Sequence, residues 1–372
     1  MSTPFACAES CAVCGADPNH VVPDAVSPYA ICARCGVVRR ARPPRNGPSP
    51  VRRDPNTTFG RASMALRLGA LEAGARVLVV GGDVALAAPC SAEPDDDPRR
   101  TRRGRRRPDA PSSNENAEPN AGRDADREAV LGLCQLLAEM ASVTATAFPP
   151  PSSEPLASYD VVLIYDALEL VNDPLELLHG VLRWAKPGAT ILVETHNLAR
   201  ASGPLDHDLL DGRRAHVFDE VALRIALGRA GIRVERMDAG VKLLARGEHR
   251  PGPVAALPVA PRGPRVAACI DGHRHLERLR FEMLRSRDPA AYISNLAAIL
   301  ARPTFDAHVT FVVRDLDHLL ERAGAYRLAL AVCEAALAGD VPSSLRQHCL
   351  HASFAYRARL GLTRPQIVSP AA

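Results

Sequence analysis

A chain of 372 residues is too long for one small module and corresponds to two or three domains at ~100 to 200 residues each. Its 47% hydrophobic and 24% charged residues suffice to bury cores, which excludes wholesale disorder and collagen-like repeats, while only 4% aromatic residues argue against a surface built to stack many bases or sugars. Forty-six Lys plus Arg against 42 Asp plus Glu leave +4, too slight to imply a nucleic-acid or membrane partner, so charge must be read locally.

The opening stretch MSTPFACAESCAVC has neither a basic n-region nor an apolar h-region, and no apolar run reaches the ~18 residues of a membrane span. This is the pattern of a soluble, cytoplasmic protein without a membrane partner, whose thiols are kept reduced or placed on metal. Within residues 1–45, Cys11-x2-Cys14 and Cys32-x2-Cys35 are separated by 17 residues, inside the spacing window for tetrahedral zinc, and Gly15 and Gly36 follow the second cysteine of each pair. Four thiolates neutralise the ion and cross-link a segment too poor in apolar groups to fold alone. Such a closed set leaves no position for substrate, so the expected Zn2+ is structural. Cys7 is read as an idle neighbour, and Cys90, Cys134, Cys269, Cys333 and Cys349 as core thiols.

Residues 46–75 read as a linker and a leading helix, with apolar spacing at Met64, Leu68 and Leu71. A domain over 76–245 then opens with the buried-type strand Arg76-Val-Leu-Val-Val80, stopped by Gly81-Gly82. Residues 91–127 contain no Val, Ile, Leu, Met or aromatic residue and are expected to form a disordered insertion. Its seven arginines between Arg99 and Arg107 suggest a phosphate patch, but nine acidic residues balance nine arginines across the insert, which favours a solvated loop and makes a nucleic-acid partner unlikely. Beyond it the spacing predicts a helix to Met140, strands at Val143–Phe148, Tyr159–Ile164 and Thr190–Glu194, a helix at Pro174–Trp184, a helix at Phe218–Gly231 and a strand from Ile232. Strands alternating with helices imply an α/β domain with a parallel, doubly wound sheet. A Pro/Gly/Ala-rich linker, 246–264, leads to a helical end domain, 265–372, predicted as amphipathic helices from Arg274, Ala291, Val313, Tyr326 and Ser344. Asp271-x-His273-x-His275-x-Glu277 invites a metal reading, but i, i+2 spacing turns the histidines to different faces, and a solvated helix start is expected instead.

Several segments resemble one family in order. Ile31-Cys-Ala-Arg-Cys-Gly-Val-Val followed by Arg40-Ala-Arg-Pro43 resembles the zinc ribbon preceding many class I S-adenosylmethionine-dependent methyltransferases. Tyr159 to Pro174 (YDVVLIYDALELVNDP) resembles that family's fourth strand and acidic loop, and Trp184 to Leu198 (WAKPGATILVETHNL) its Lys-Pro-Gly turn and fifth strand. His216-Val-Phe-Asp-Glu through Ala230-Gly-Ile-Arg-Val is similar to its closing helix and sixth strand. The resemblance implies a Rossmann-like sheet, S-adenosylmethionine as cofactor and methyl transfer to a small-molecule acceptor. It places the cofactor at Gly81, Gly82, Asp83, Tyr165, Asp166 and Glu169, and makes His216 and His196 the candidate general bases. The helical end domain would shape acceptor access or pair two copies in a homodimer.

The glycine loop departs from the family pattern: Val79 stands at the usual acidic position, Asp83 and Ala85 replace glycines, and Leu170 replaces a common histidine. The family's second strand, whose last residue carries the ribose carboxylate, falls where the insertion sits. Two other readings follow: a catalytically inactive methyltransferase-like scaffold, and a zinc-ribbon nucleic-acid regulator using the arginine block. For Asp166 and Glu169 loop solvation is the plainer role, with Asp173 capping the helix that Pro174 opens.

Overall fold

The computed structural model describes residues 10–16, 21–23, 29–40, 61–62, 65, 71–81, 121–200, 205, 209–210, 214–252, 261–286 and 288–362. Gly82 and Asp83 of the glycine loop, the arginine block and residues 91–120 of the expected insertion lie outside them. In chain order the elements are β1 (Val21–Pro23), β2 (Tyr29–Cys32), β3 (Val38–Arg40), β4 (Arg76–Gly81), α1 (Ala121–Ala141), β5 (Thr144–Ala147), β6 (Tyr159–Tyr165), α2 (Pro174–Leu182), β7 (Ala185–His196), β8 (His216–Val217), α3 (Glu220–Arg229), β9 (Ile232–Ala239) and β10 (Lys242–His249). The helices α4 (Gly263–Arg285), α5 (Ile293–Leu300), α6 (Asp306–Arg322), α7 (Tyr326–Ala338) and α8 (Ser343–Arg359) follow.

The larger sheet has the order β5-β4-β6-β7-β10-β9, with β5, β4, β6 and β7 parallel. Both its faces are covered, which is why β4 and β6 are apolar almost throughout. Along them the inward side alternates: Val77, Val79, Val161 and Leu163 meet α1, Ala62 and Ala65, while Leu78, Val80, Val162 and Ile164 meet α2 and α3. α2 starts where Asp173 Oδ1 accepts from the backbone N–H of Leu175 and Glu176 at 2.9 and 3.0 Å, the capping role anticipated for it. Gly231, at φ +84°, closes the turn after α3 in the left-handed region that a C′ residue requires.

Four expectations are corrected. The sheet is mixed: β10 runs antiparallel to both β7 and β9, because Gly240-Val241 joins β9 to β10 too tightly for a crossover. Lys242–His249 is therefore a sheet strand, and the linker from 246 begins later. The expected insertion ends sooner than 127, since α1 already starts at Ala121. The strand flanking β4 on its outer side is β5, which ends in Ala147-Phe148-Pro149, so no carboxylate closes that strand.

The cysteine module is not a separate bead. Its sheet, β1-β2-β3-β8, is completed by a strand of the α/β domain, with Val38 facing Val217 and Arg39 facing His216. Tyr29, Ile31 and Val38 bury against Leu198 and Val217, and against Val266 and Ile270 of α4. Gly263 makes that last contact feasible. Its N–H donates to the Ala33 carbonyl at 2.8 Å, and a Cβ there would lie 2.3 Å from the Ala33 Cα. The remaining helices pack around their own core, which includes Leu276, Val312, Val332 and Leu345. Because α4 begins at Gly263, His273 lies well inside the helix and is fully buried, not on a solvated start; His275 does turn outward.

Candidate functional site

Parallel register aligns the carboxyl ends of the central strands, with Gly81 beside Tyr165 and Tyr165 beside Glu194. This is the edge at which open α/β sheets bind ligands. Asp166 follows immediately at φ +48°, a left-handed conformation that Asp tolerates better than most residues, and its N–H donates to the Glu194 carbonyl at 3.0 Å. The turn aims the Asp166 carboxylate at the Glu194 side chain. Two cations hold the pair together: Arg61 bridges to Asp166 and reaches Glu194 Oε1 at 3.1 Å, and Lys242 Nζ lies 3.0 Å from Asp166 and 2.6 Å from Glu194. Burial disfavours the Arg61 charge, but Asp166 and Glu194 outweigh it and raise its pKa. The guanidinium also sits 5.0 Å over the Tyr165 ring, whose phenol is pushed up by burial.

A second cluster joins this one through His196. Glu169 is 2% exposed, and its carboxylate accepts from Thr195 Oγ1 at 2.5 Å, the His196 N–H at 3.0 Å and Arg214 Nε at 3.0 Å. His196 Nδ1 lies 2.8 Å from Glu169 Oε1 and 3.8 Å from Asp166 Oδ1. Burial pushes the Glu169 carboxyl up, but hydrogen bonding to His196 and the charge of Arg214 win, leaving it well below the usual carboxylate range. With Nδ1–H donating to Glu169, Nε2 carries the lone pair and faces Arg214 Nη2 at 3.3 Å. The three carboxylates are thus matched by Arg61, Lys242 and Arg214, and the His196 ring lies between Glu169 and Arg214 at the rim.

Of the residues singled out in the sequence, Gly81, Tyr165, Asp166, Glu169 and His196 gather at this edge. His216 does not. It is buried in β8, its Nδ1 lies 3.1 Å from the Val171 carbonyl, and burial lowers its pKa to about 4, so it fixes the seam with the cysteine module. Arg61, Glu194, Thr195, Arg214 and Lys242 were not anticipated. Glu194 alone left a trace, as a charge ending an apolar strand.

The four cysteines form a second candidate centre. Two matching knuckles present them: the N–H of Gly15 donates to the Cys11 carbonyl at 2.7 Å, and that of Gly36 to the Cys32 carbonyl at 2.9 Å, at φ +68° and +78°. The sulfurs of Cys11 and Cys35 are 3.8 Å apart and those of Cys14 and Cys32 are 3.5 Å apart. A tetrahedral ion with bonds of ~2.3 Å separates its sulfurs by about 3.8 Å, so the donor set fits zinc. Hydrogen bonding with Cys11 lowers Cys32 and raises Cys35, as expected of four crowded thiols competing for few protons.

No family model matches the chain, and no curated protein does. Solved structures similar to part of it include S-adenosylmethionine-dependent methyltransferases. One from Aquifex aeolicus is 14% identical, covering 53% of this chain and 100% of that one, with TM-score 0.30. One from Mesorhizobium loti is 15% identical over 51% of this chain and 99% of that one, with TM-score 0.30. The 1,6-didemethyltoxoflavin-N1-methyltransferase of Burkholderia thailandensis, solved with its substrate and S-adenosylhomocysteine, is 14% identical over 53% of this chain and 80% of that one, with TM-score 0.30. Strand order and register, not these likenesses, define the mixed α/β class of the sheet. No helix among the described residues is long and apolar enough to cross a membrane.

Proposed function

We propose that the chain is an S-adenosylmethionine-dependent methyltransferase that acts on a small molecule and carries a structural Zn2+ on Cys11, Cys14, Cys32 and Cys35. One observation carries the proposal. The segments that resemble the methyltransferase family in sequence form adjacent parallel strands, β6 and β7, and their ends converge with Gly81 on the ligand-binding edge. The fit to the nucleoside is partial. Asp166 presents a half-buried carboxylate at the rim, already paired with Arg61 and Lys242, whereas Gly81 is buried and β5 supplies no acidic residue for a ribose.

The sulfonium donor brings an already activated methyl group, so the protein's task is positioning and exclusion of water. Asp166 and Tyr165 border the cofactor position. His196, held in one tautomer by Glu169, is the candidate base; its Nε2 already accepts from Arg214 Nη2, so the acceptor must displace that guanidinium before the ring takes its proton.

A second reading has its own support. Arg61 and Lys242 already neutralise Asp166 and Glu194, as they would in a sheet retained as a scaffold without catalysis. Calorimetric titration of the zinc-loaded chain with S-adenosylmethionine and S-adenosylhomocysteine separates the two. Saturable heat with both is expected; no heat with either overturns the enzyme and leaves the scaffold.

A further inference from the structure

A further set of metal-ligating side chains lies in the helical end domain, remote from the carboxyl-edge cluster and from the four cysteines: His273 and Glu277 of α4 and His308 of α6. His273 and Glu277 are four residues apart, one helical turn, so they share a face that the i, i+2 pair His273 and His275 does not. α6 delivers His308 in its first turn, after a chain segment that packs unusually close to α4. A Cβ on Gly272 would lie 2.3 Å from the Pro303 carbonyl oxygen, so only glycine there lets the two elements meet.

Their ligand atoms all lie within 4.8 Å of one another, and both histidines are fully buried. The two imidazoles are stacked with centroids 3.1 Å apart and planes at 10°, so one ring must turn about its side-chain bonds before both in-plane lone pairs meet one ion. Among the described residues neither ring nitrogen of His308 has a hydrogen-bond partner, which is unusual for a polar side chain removed from water. Its Nε2 lies 3.4 Å from Glu277 Oε1. That separation is long for a charge-assisted hydrogen bond, but two donors bound at ~2.0 to 2.1 Å to a tetrahedral ion sit about 3.3 Å apart. The other Glu277 oxygen lies 3.4 Å from Arg280, which is itself paired with Asp315 and orients the carboxylate from behind.

We propose that His273, Glu277 and His308 form a second metal site for a borderline divalent transition ion of the Zn2+ class, joining α4 to α6. Two imidazoles and a carboxylate suit such an ion better than Mg2+ or Ca2+, which prefer oxygen donors. Three protein donors leave a position for water or another small donor, so this centre differs in kind from the closed thiolate set.

The full chain, saturated with Zn2+ and freed of excess metal, is analysed for bound zinc per chain, and the same chain loaded with Co2+ is read by absorption. Expected are a second equivalent beyond the thiolate site and, added to that site's charge-transfer band, visible cobalt bands of a centre without thiolate ligands. His308→Asn and Glu277→Gln each lose that equivalent while keeping the thiolate-bound one. Metal confined to a centre with thiolate charge transfer overturns the proposal, as does a second equivalent that survives in a folded His273→Asn/His308→Asn chain. A single equivalent lacking the thiolate band supports this site and refutes the zinc ribbon. Where the substituted chains unfold, the wild-type chain decides: a shift of the His273 and His308 imidazole NMR signals on loading the second equivalent supports the site, and unchanged signals overturn it.

Discussion

Glu169→Gln tests whether the second cluster is an ion pair that the fold depends on. The substitution keeps shape and volume but replaces one oxygen by an NH2. Oε1 faces Arg214 Nε and His196 Nδ1, and Oε2 receives Thr195 and the His196 N–H. Either amide orientation therefore points the new NH2 at an N–H that cannot accept. With the Glu169 side chain 3% exposed and Arg214 13% exposed, solvent compensates little, and removing one partner of a buried pair costs about 3 to 5 kcal/mol. The chain's single tryptophan, Trp184, packs against the α/β core, so its fluorescence in urea follows this domain and not the helical one. The midpoint should fall by the equivalent of about 3 kcal/mol at neutral pH with an unchanged slope. The sign with pH follows from the depressed carboxyl pKa. Its stabilisation is complete above the unfolded value of ~4.3 and is lost as pH falls from there toward the folded value, so the variant should lack that part of the acid response. A midpoint shift worth less than about 0.5 kcal/mol, or an acid limb unchanged by the substitution, would refute the buried-pair assignment.

Gly263→Ala places a Cβ against Ala33 and should destabilise docking of the cysteine module on α4 by about 1 to 3 kcal/mol, read as a lower melting temperature and faster zinc loss to a chelator. Wild-type behaviour in both would show that the close approach is not needed. Cys35→Ser removes a fully buried sulfur and one of four thiolates, and should weaken thiolate-to-cobalt absorption and lower the Trp184 transition, because Cys35 packs in the same core as the α/β sheet. Unchanged absorption would contradict the four-cysteine set. His216, held near a pKa of about 4 mainly by burial, should show no imidazole titration by NMR between about pH 8 and about pH 5. Since its folded pKa lies below the unfolded ~6.5, its contribution is full above that value and falls as pH drops, reaching a loss of about 3 kcal/mol near pH 4. A midpoint near neutrality would restore His216 as a candidate base.

Local chemistry was readable in the chain. The paired cysteines and their glycines announced that four sulfurs would gather, and the apolar run at Tyr159–Ile164 announced a central strand because both faces of that strand are covered. Lys242–His249 was harder to read. Its last residues, 246–249, fall in the stretch that reads as a linker, and only pairing with β7 and β9 makes them part of a strand. The roles of single polar residues were hardest of all. His216 looks no different in sequence from an exposed loop histidine until β8 buries it against β3.

What the sequence by itself determined, then, is the kind of module and the order of elements, since periodicity, spacing and turn residues act over a few positions. The tertiary structure alone decided the sites. Arg61 meets Asp166 across 105 positions, Lys242 meets Glu194 across 48, and His308 comes to His273 and Glu277 only because Gly272 lets two elements close. Whether a charge or an imidazole is solvated, paired or poised for a metal depends on which neighbours the packed core brings within a few ångströms and on the water it removes, and neither is written in the residues on either side.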